Sequence, residues 1–291
     1  MALPPIDADL VRRLVAGQFP HWADLPIAPV ASAGTDNALF RLGDAMCVRL
    51  PRQDWAVGQV AKEQRWLPVL APHLPIAIPT PLGQGAPAQG YPWDWSVYDW
   101  LPGAAPGPSA CLDGPAARDL AGFLKALQRI DAAGGPGPGA HNFGRGIRLA
   151  KRDGPTPAAI LAVADEIDAG AALAIWDAAL TAPLWAEPPV WIHGDLHPGN
   201  LLTDAGRIAA VIDFGGVGVG DPACDLMAGW MGFEGQALAT FLAEMAPDPA
   251  TLARGRGWTV SNAVIALASY RETNRTLAAA ARRWIAVAGE G

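Results

Sequence analysis

The chain has 291 residues, of which 51% are hydrophobic and 17% charged, with a net charge of −7. This composition excludes a disordered chain, contains no apolar run long enough to span a membrane, and lacks the clustered Lys and Arg that nucleic-acid binding requires. The N-terminal "MALPPIDADL" has no basic flank and apolar core of an export signal, and Cys47, Cys111 and Cys224 suit neither a disulfide framework nor a zinc site, so a cytoplasmic protein with three small, buried, reduced thiols is expected.

Residues 7–18, "DADLVRRLVAGQ", put Leu10, Val11 and Leu14 on one face behind an acidic start and predict a short amphipathic helix. Three apolar stretches near 26–31, 37–42 and 46–50 follow, separated by turn residues at Gly34-Thr35-Asp36 and Gly43-Asp44, and read as an antiparallel meander. Residues 53–70 return to helical spacing through Val57, Val60, Ala61, Gln64 and Leu67, a helix crossing the meander. "WSVYDWL" reads as one more strand, ending at the Pro102-Gly103 break.

Beyond that break the pattern becomes helical, in "ARDLAGFLKALQRI", in "PAAILAVADEIDAGAALAIWDAAL" and from about residue 221 to 288. Residues 132–146, "AAGGPGPGAHNFGRG", are too rich in Gly and Pro for regular structure and predict an exposed loop. The shift in pattern predicts an α+β chain with a strand-rich domain over 1–102 and a larger helical domain over 103–291.

Between the helices lies "HGDLHPGNLL", residues 193–202. His193, Asp195 and His197 alternate, and in an extended strand they would face one metal ion. The supporting ligands are missing, since His21, His73 and His141 belong to no paired motif. The second reading starts from the turn forced by Pro198-Gly199. Apolar arms on either side of Asp204-Ala205-Gly206 predict a hairpin, which returns the chain and sets Asp213 of "VIDFGG" near Asn200. A carboxamide and a carboxylate oxygen then face a common point that suits Mg²⁺ with water and phosphate as its other ligands, leaving Asp195 for a substrate hydroxyl.

Asp195 and Asn200 five apart, then "IDFG", resemble the catalytic and metal loops of the protein-kinase-like superfamily. "VWIHGDLHPGNLL" with "VIDFGGVGVGDPACDLMAGW" resembles the aminoglycoside phosphotransferase family of small-molecule kinases, and "GTDNALFRLGDAMCVRLPR", "KEQRWLPVL", "WSVYDWLPG" and "DLAGFLKALQRI" resemble it in the same order, from about residue 30 to 285. The resemblance implies a bilobal kinase-like fold with an antiparallel-sheet N-lobe, a mainly helical C-lobe, and ATP or GTP as phosphate donor. It implies Asp195 as the catalytic carboxylate and Asn200 and Asp213 as Mg²⁺ ligands. Arg49, standing where the family pattern has lysine, would pair with Glu63 and meet the nucleotide phosphates; Ser32 and Thr35 belong to the phosphate loop, and Trp100 and Leu101 would meet the base through main-chain groups. His193 is expected to be buried behind the loop and bonded to backbone near Asp213, His197 to touch phosphate or to face solvent, and Asp221 and Asp225 to cap a helix.

From Asp221 onward seven acids nearly balance six arginines, so no acidic cluster for a polycation emerges. Trp93, Trp95, Trp230, Trp258 and Trp284 read as core packing, or as the walls of a sugar or apolar pocket. The acceptor therefore stands open among an aminoglycoside, a macrolide or other bulky natural product, and a hydroxyl-bearing metabolite. With lysine replaced by Arg49, a non-catalytic kinase-like binding module is the competing class.

Overall fold

Helix α1, Ala8–Gln18, begins where Asp7 Oδ1 accepts the Leu10 N–H at 2.8 Å, and it buries Leu10, Val11, Leu14 and Val15. Those side chains pack on one face of a five-stranded antiparallel sheet of order β1-β2-β3-β5-β4, formed by β1 (Ile27–Pro29), β2 (Asn37–Leu42), β3 (Met46–Pro51), β4 (Pro81–Gly85) and β5 (Trp95–Asp99). Strict alternation in β2 sends Ala38, Phe40 and Leu42 into this core, joined by Val48 and Leu50 of the central strand β3. The same period turns Arg49 to the opposite face, where α2 (Val57–Leu70) brings Glu63. Arg49 thus lies on a central strand inside the unit.

This describes residues 5–31 and 36–290 of a computed structural model. The chain divides into two compact units, Met1–Pro72 with Ala77–Pro102, and His73–Ile76 with Gly103–Gly291. Strand β4 escapes the sequence pattern because Pro81, Gly83 and Gly85 dilute its apolar signal, yet as an edge strand it tolerates proline, and Trp95 packs where a side chain at position 85 would stand.

The second unit is helical around α8 (Pro249–Tyr270), against which α4 (Pro155–Ala162), α5 (Ala169–Thr181), α6 (Ala223–Gly232) and α9 (Arg275–Gly289) pack, while α3 (Gly114–Arg129) pairs with α7 (Gly235–Met245). The single helical run read over 157–180 is two helices, because Asp168 accepts the Ala171 N–H at 2.9 Å and opens α5 afresh. Trp95, Trp230, Trp258 and Trp284 are core residues, each at most 3% exposed, so packing and not a sugar pocket explains them. Cys47 and Cys224 are buried, but Cys111 is exposed, against expectation. No helix of the described residues is long and apolar enough to cross a membrane.

Candidate active site

Two short ribbons carry the site of the second unit. Strands β6 (Val190–Ile192) and β9 (Gly218–Gly220) pair antiparallel, and so do β7 (Leu201–Asp204) and β8 (Arg207–Val211). The segment 193–200 leaves β6 and enters β7, so both ends of the loop are pinned to sheet.

The interior of that loop is fixed by buried groups. Asp225, in the first turn of α6, accepts the His193 N–H at 2.6 Å and the Gly194 N–H at 2.7 Å. Burial raises its pKa to about 6 despite those two donors. Asp225 is therefore a clamp on the loop and caps nothing, which corrects the sequence reading. Asp221 does bond the Ala223 N–H at 2.9 Å as a cap, and also pairs with Arg254 at 2.7 Å. The His193 ring, fully buried, meets the Ile212 carbonyl through Nε2 at 3.1 Å, and its Nδ1 accepts the Asp195 N–H at 3.2 Å. Burial lowers its pKa, so the ring is neutral with its proton on Nε2. Gly194, at φ +84°, lies against Gly216 so closely that a Cβ would stand 2.6 Å from the Gly216 carbonyl oxygen. The loop and the "DFGG" segment therefore touch backbone to backbone.

The half-buried His197 accepts the Gly199 N–H on Nδ1 at 3.0 Å and sits 5.6 Å from the Trp284 ring. With ring nitrogens of both histidines serving the loop, the His-Asp-His metal reading fails. Among the described residues, no group of three or more His, Cys, Asp and Glu is placed to hold a metal.

The hairpin closes as the sequence predicts, with Ala205 and Gly206 both at positive φ in its two-residue turn. Its ladder continues one step past the strands: the Ile212 N–H donates to the Asn200 carbonyl at 2.9 Å, so Asp213 is one residue beyond the partner of Asn200. The Asn200 amide nitrogen donates to the Asp195 carbonyl at 2.8 Å and lies 3.4 Å from its Oδ2, which reserves Oδ1 for another partner. Asp213 holds a left-handed conformation, φ 63° and ψ 68°, one of the few that Asp tolerates, as the chain turns from β8 into "FGG". A carboxamide and a carboxylate oxygen on adjacent ladder ends are hard donors too few to strip Mg²⁺ of its water, and so fit that ion.

One side chain at this site comes from the Gly/Pro-rich segment. Arg145 Nη2 donates to Asp195 Oδ1 at 3.1 Å, and its Nη1 donates to Asn262 Oδ1 on α8. Arg152 reaches the same Asn262 oxygen at 3.1 Å and Ser261 at 2.8 Å, over the Trp258 ring at 5.0 Å. Burial and the neighbouring Arg145 lower the Arg152 pKa to about 10. The segment is held down: the Val219 N–H donates to Pro136 at 2.9 Å, Gly139 donates to the buried Asn142, and the Gly146 backbone lies where a Cβ on Gly220 would be. It is an irregular and partly exposed loop, as the sequence predicts, and these contacts tie it down as a strap. A Gly-Val-Gly strand facing a Gly-rich segment was the only sequence signal for this contact.

In the first unit Arg49 Nη1 meets both Glu63 oxygens, at 2.8 and 2.9 Å, and Tyr98 donates to the same carboxylate. The Asn37 amide, turned with its oxygen toward Arg49, accepts from Nη2 at 3.0 Å and Nε at 3.1 Å. Ser32 and Thr35 lie outside the described residues. The Trp100 N–H donates to Ala45 at 2.8 Å and its ring carries Arg41 at 4.1 Å, so that N–H serves the unit and is not left for a base.

A family model described as the phosphotransferase enzyme family matches residues 27–258. The chain belongs to this family. Among solved structures, this phosphotransferase is similar to the GDP complex of wild-type aminoglycoside 2′-phosphotransferase-IIIa, with a TM-score of 0.72 and 18% identity over 97% of this chain and 98% of that one. It is also similar to macrolide 2′-phosphotransferase MphH from Brachybacterium faecium, with a TM-score of 0.62 and 26% identity over 94% and 98%. These likenesses establish for the phosphotransferase the α+β, kinase-like fold that its sequence implies. No curated protein matches its sequence.

Proposed function

We propose that the chain transfers the γ-phosphate of ATP or GTP, with Mg²⁺, to a hydroxyl of a small molecule in the cytoplasm. What supports this reading is the ladder bond between Ile212 and Asn200, which sets the Asp213 backbone one residue beyond the partner of Asn200, while the Asp195 side chain, 3.4 Å from the Asn200 amide, stays 42% exposed.

In this reading the acceptor hydroxyl hydrogen-bonds to Asp195. Its oxygen forms the new bond to the γ-phosphorus, the bond to the β–γ bridging oxygen breaks, and the nucleoside diphosphate departs. The hydroxyl proton passes to Asp195 and from there to solvent. Because such transition states are loose, orientation of the hydroxyl by Asp195 contributes more than proton removal. Mg²⁺, held by Asn200 and Asp213, would neutralise charge on the transferring phosphates. In the first unit, the Arg49 guanidinium, held by Glu63 through Nη1 and by Asn37 through Nη2 and Nε, would offer them its positive charge through the 16% of its side chain that reaches solvent. The base contact falls to the Trp100 carbonyl and the Leu101 main chain. Aminoglycosides and macrolides, the substrate classes in the names of the similar structures, are the first acceptors to test, with hydroxyl-bearing metabolites beside them.

The test measures nucleoside diphosphate release with Mg²⁺, and phosphorylated product by mass spectrometry, across an acceptor panel of all three classes. Acceptor-dependent release with a product 80 Da heavier (roughly one added phosphoryl group) supports the proposal. Nucleotide binding without transfer to any hydroxyl compound refutes it.

A further inference from the structure

We infer that the second unit holds a small-molecule site apart from its catalytic loop, built for a zwitterion with a compact apolar body, the chemistry of a free amino acid with a large apolar side chain. The inference does not rest on phosphotransfer: none of Arg145, Asp195, His197, Asn200 and Asp213 lines the cavity that carries it.

That cavity has a volume of about 290 Å³, close to the lower end of the range for small-molecule sites. At roughly 30 Å³ per water molecule it has room for a ligand of about ten non-hydrogen atoms. Its apolar walls are Leu149 on the strap, Ala179 and Leu180 at the end of α5, Leu184 and Trp185 on the connection to β6, and Val219 on β9.

The connection is stiff, so the cavity is formed before anything enters it. Residues 182–189, "APLWAEPP", contain three prolines. The Trp185 Nε1–H donates to the Pro188 carbonyl at 3.1 Å, and the Pro183 carbonyl accepts from Arg254 of α8. Leu184 is nonetheless 52% exposed, so apolar surface is held open to water where a ligand could cover it.

The charged groups of the lining are of two kinds. Asp221 and Arg254 satisfy each other at 2.7 and 3.3 Å, with the Ala223 N–H on Asp221 and Thr251 on Arg254, and they offer a ligand no uncompensated charge. Arg148 and Glu187 are exposed, and among the described residues the guanidinium and the carboxylate make no ion pair or hydrogen bond, with each other or with any neighbour. Two opposite charges left open beside an apolar cavity are complementary to a carboxylate and an ammonium on one ligand, with its side chain in the cavity. A purely apolar compound would leave both charges unused, and a compound with one charge would bring it up against its like.

The test is calorimetric titration of the full chain with L-phenylalanine and L-leucine, and with 3-phenylpropionate and phenethylamine, which lack the ammonium and the carboxylate of phenylalanine. L-Phenylalanine should bind about tenfold or more tightly than either analogue, as loss of one charge-assisted hydrogen bond implies. Arg148→Gln should weaken L-phenylalanine about tenfold and phenethylamine far less, and Glu187→Gln should weaken L-phenylalanine about tenfold and 3-phenylpropionate far less. Leu180→Trp, which fills the cavity from a half-buried position, should abolish binding without lowering the thermal midpoint below that of the Arg148 variant, whereas Asp195→Asn should leave binding unchanged. No binding of either amino acid, equal affinity for phenylalanine and its two analogues, or binding lost in a folded Asp195→Asn but kept in Arg148→Gln overturns the inference.

Discussion

Arg49–Glu63 and Arg145–Asp195 are both arginine–carboxylate pairs, one in each unit, and they are finished to different degrees. Glu63 is 1% exposed and receives Arg49 twice and Tyr98 once, with Asn37 holding the far side of the guanidinium. Asp195 is 42% exposed and receives one Arg145 nitrogen at 3.1 Å. A buried carboxylate that shares one guanidinium nitrogen between its two oxygens, with a tyrosine hydroxyl beside it, fixes one geometry, because breaking the pair strands a charge in a poor solvent. A carboxylate that keeps an open side, with one arginine contact and a long amide contact, is the more weakly fixed of the two. The difference separates a carboxylate that holds an element in place from one that keeps a side open to solvent, as the proposed chemistry at Asp195 requires.

Asp195→Asn is the severest break on the presented side. It should reduce turnover by about 10² to 10⁴ in a coupled nucleotide assay, while the thermal midpoint stays near that of the wild type, since the residue's backbone contacts persist. An unchanged rate would remove Asp195 from the chemistry.

Asp225 sharpens the contrast, being a carboxylate beside the site yet wholly buried. Its folded pKa of about 6 exceeds the ordinary Asp value, so its contribution to stability is complete at low pH and is lost as pH rises through 6. Between pH 4 and 7 the loss is about 2 kcal/mol. Urea unfolding of wild type and Asp225→Asn across that range should give a difference that shrinks or reverses in favour of the variant at the higher pH. Parallel curves would refute the assignment.

On the fixed side, Glu63→Gln should cost about 3–5 kcal/mol in chemical unfolding, because it leaves the largely buried Arg49 charge without its counter-ion. Its effect on kcat should be smaller than that of Asp195→Asn. Arg49→Lys, which installs the lysine of the family pattern, keeps the charge but loses the Asn37 contacts. It should cost about 0.5–1.5 kcal/mol, with the nucleotide Kd changed less than tenfold.

These pairs also show what could be read from the chain. Arg49 and Glu63 follow from alternation in β3 and helical spacing in α2, both local patterns, and Asn200 and Asp213 from two hairpin arms of similar length. Arg145 and Asp225 were not legible in this way. Arg145 lies in a segment without periodicity and meets a residue fifty positions away. Asp225 has the position of a helix-starting carboxylate, and only the three-dimensional approach of β6 to α6 shows that its partners are His193 and Gly194. Strand β9, three residues with two glycines, carries no apolar signal and forms because its bareness admits the 136–146 strap.

The division of labour around the hairpin is tested most directly by titrating Mn²⁺, as a paramagnetic stand-in for Mg²⁺, into the full chain with bound nucleotide and reading free ion by electron paramagnetic resonance. The account expects Asp213→Asn to weaken Mn²⁺ binding by about tenfold or more, as loss of a charged ligand should, and Asp195→Asn to leave it within about twofold. Equal weakening by both variants, or none from Asp213→Asn, would contradict the claim that Asp213 and Asn200 serve the cation while Asp195 serves the hydroxyl.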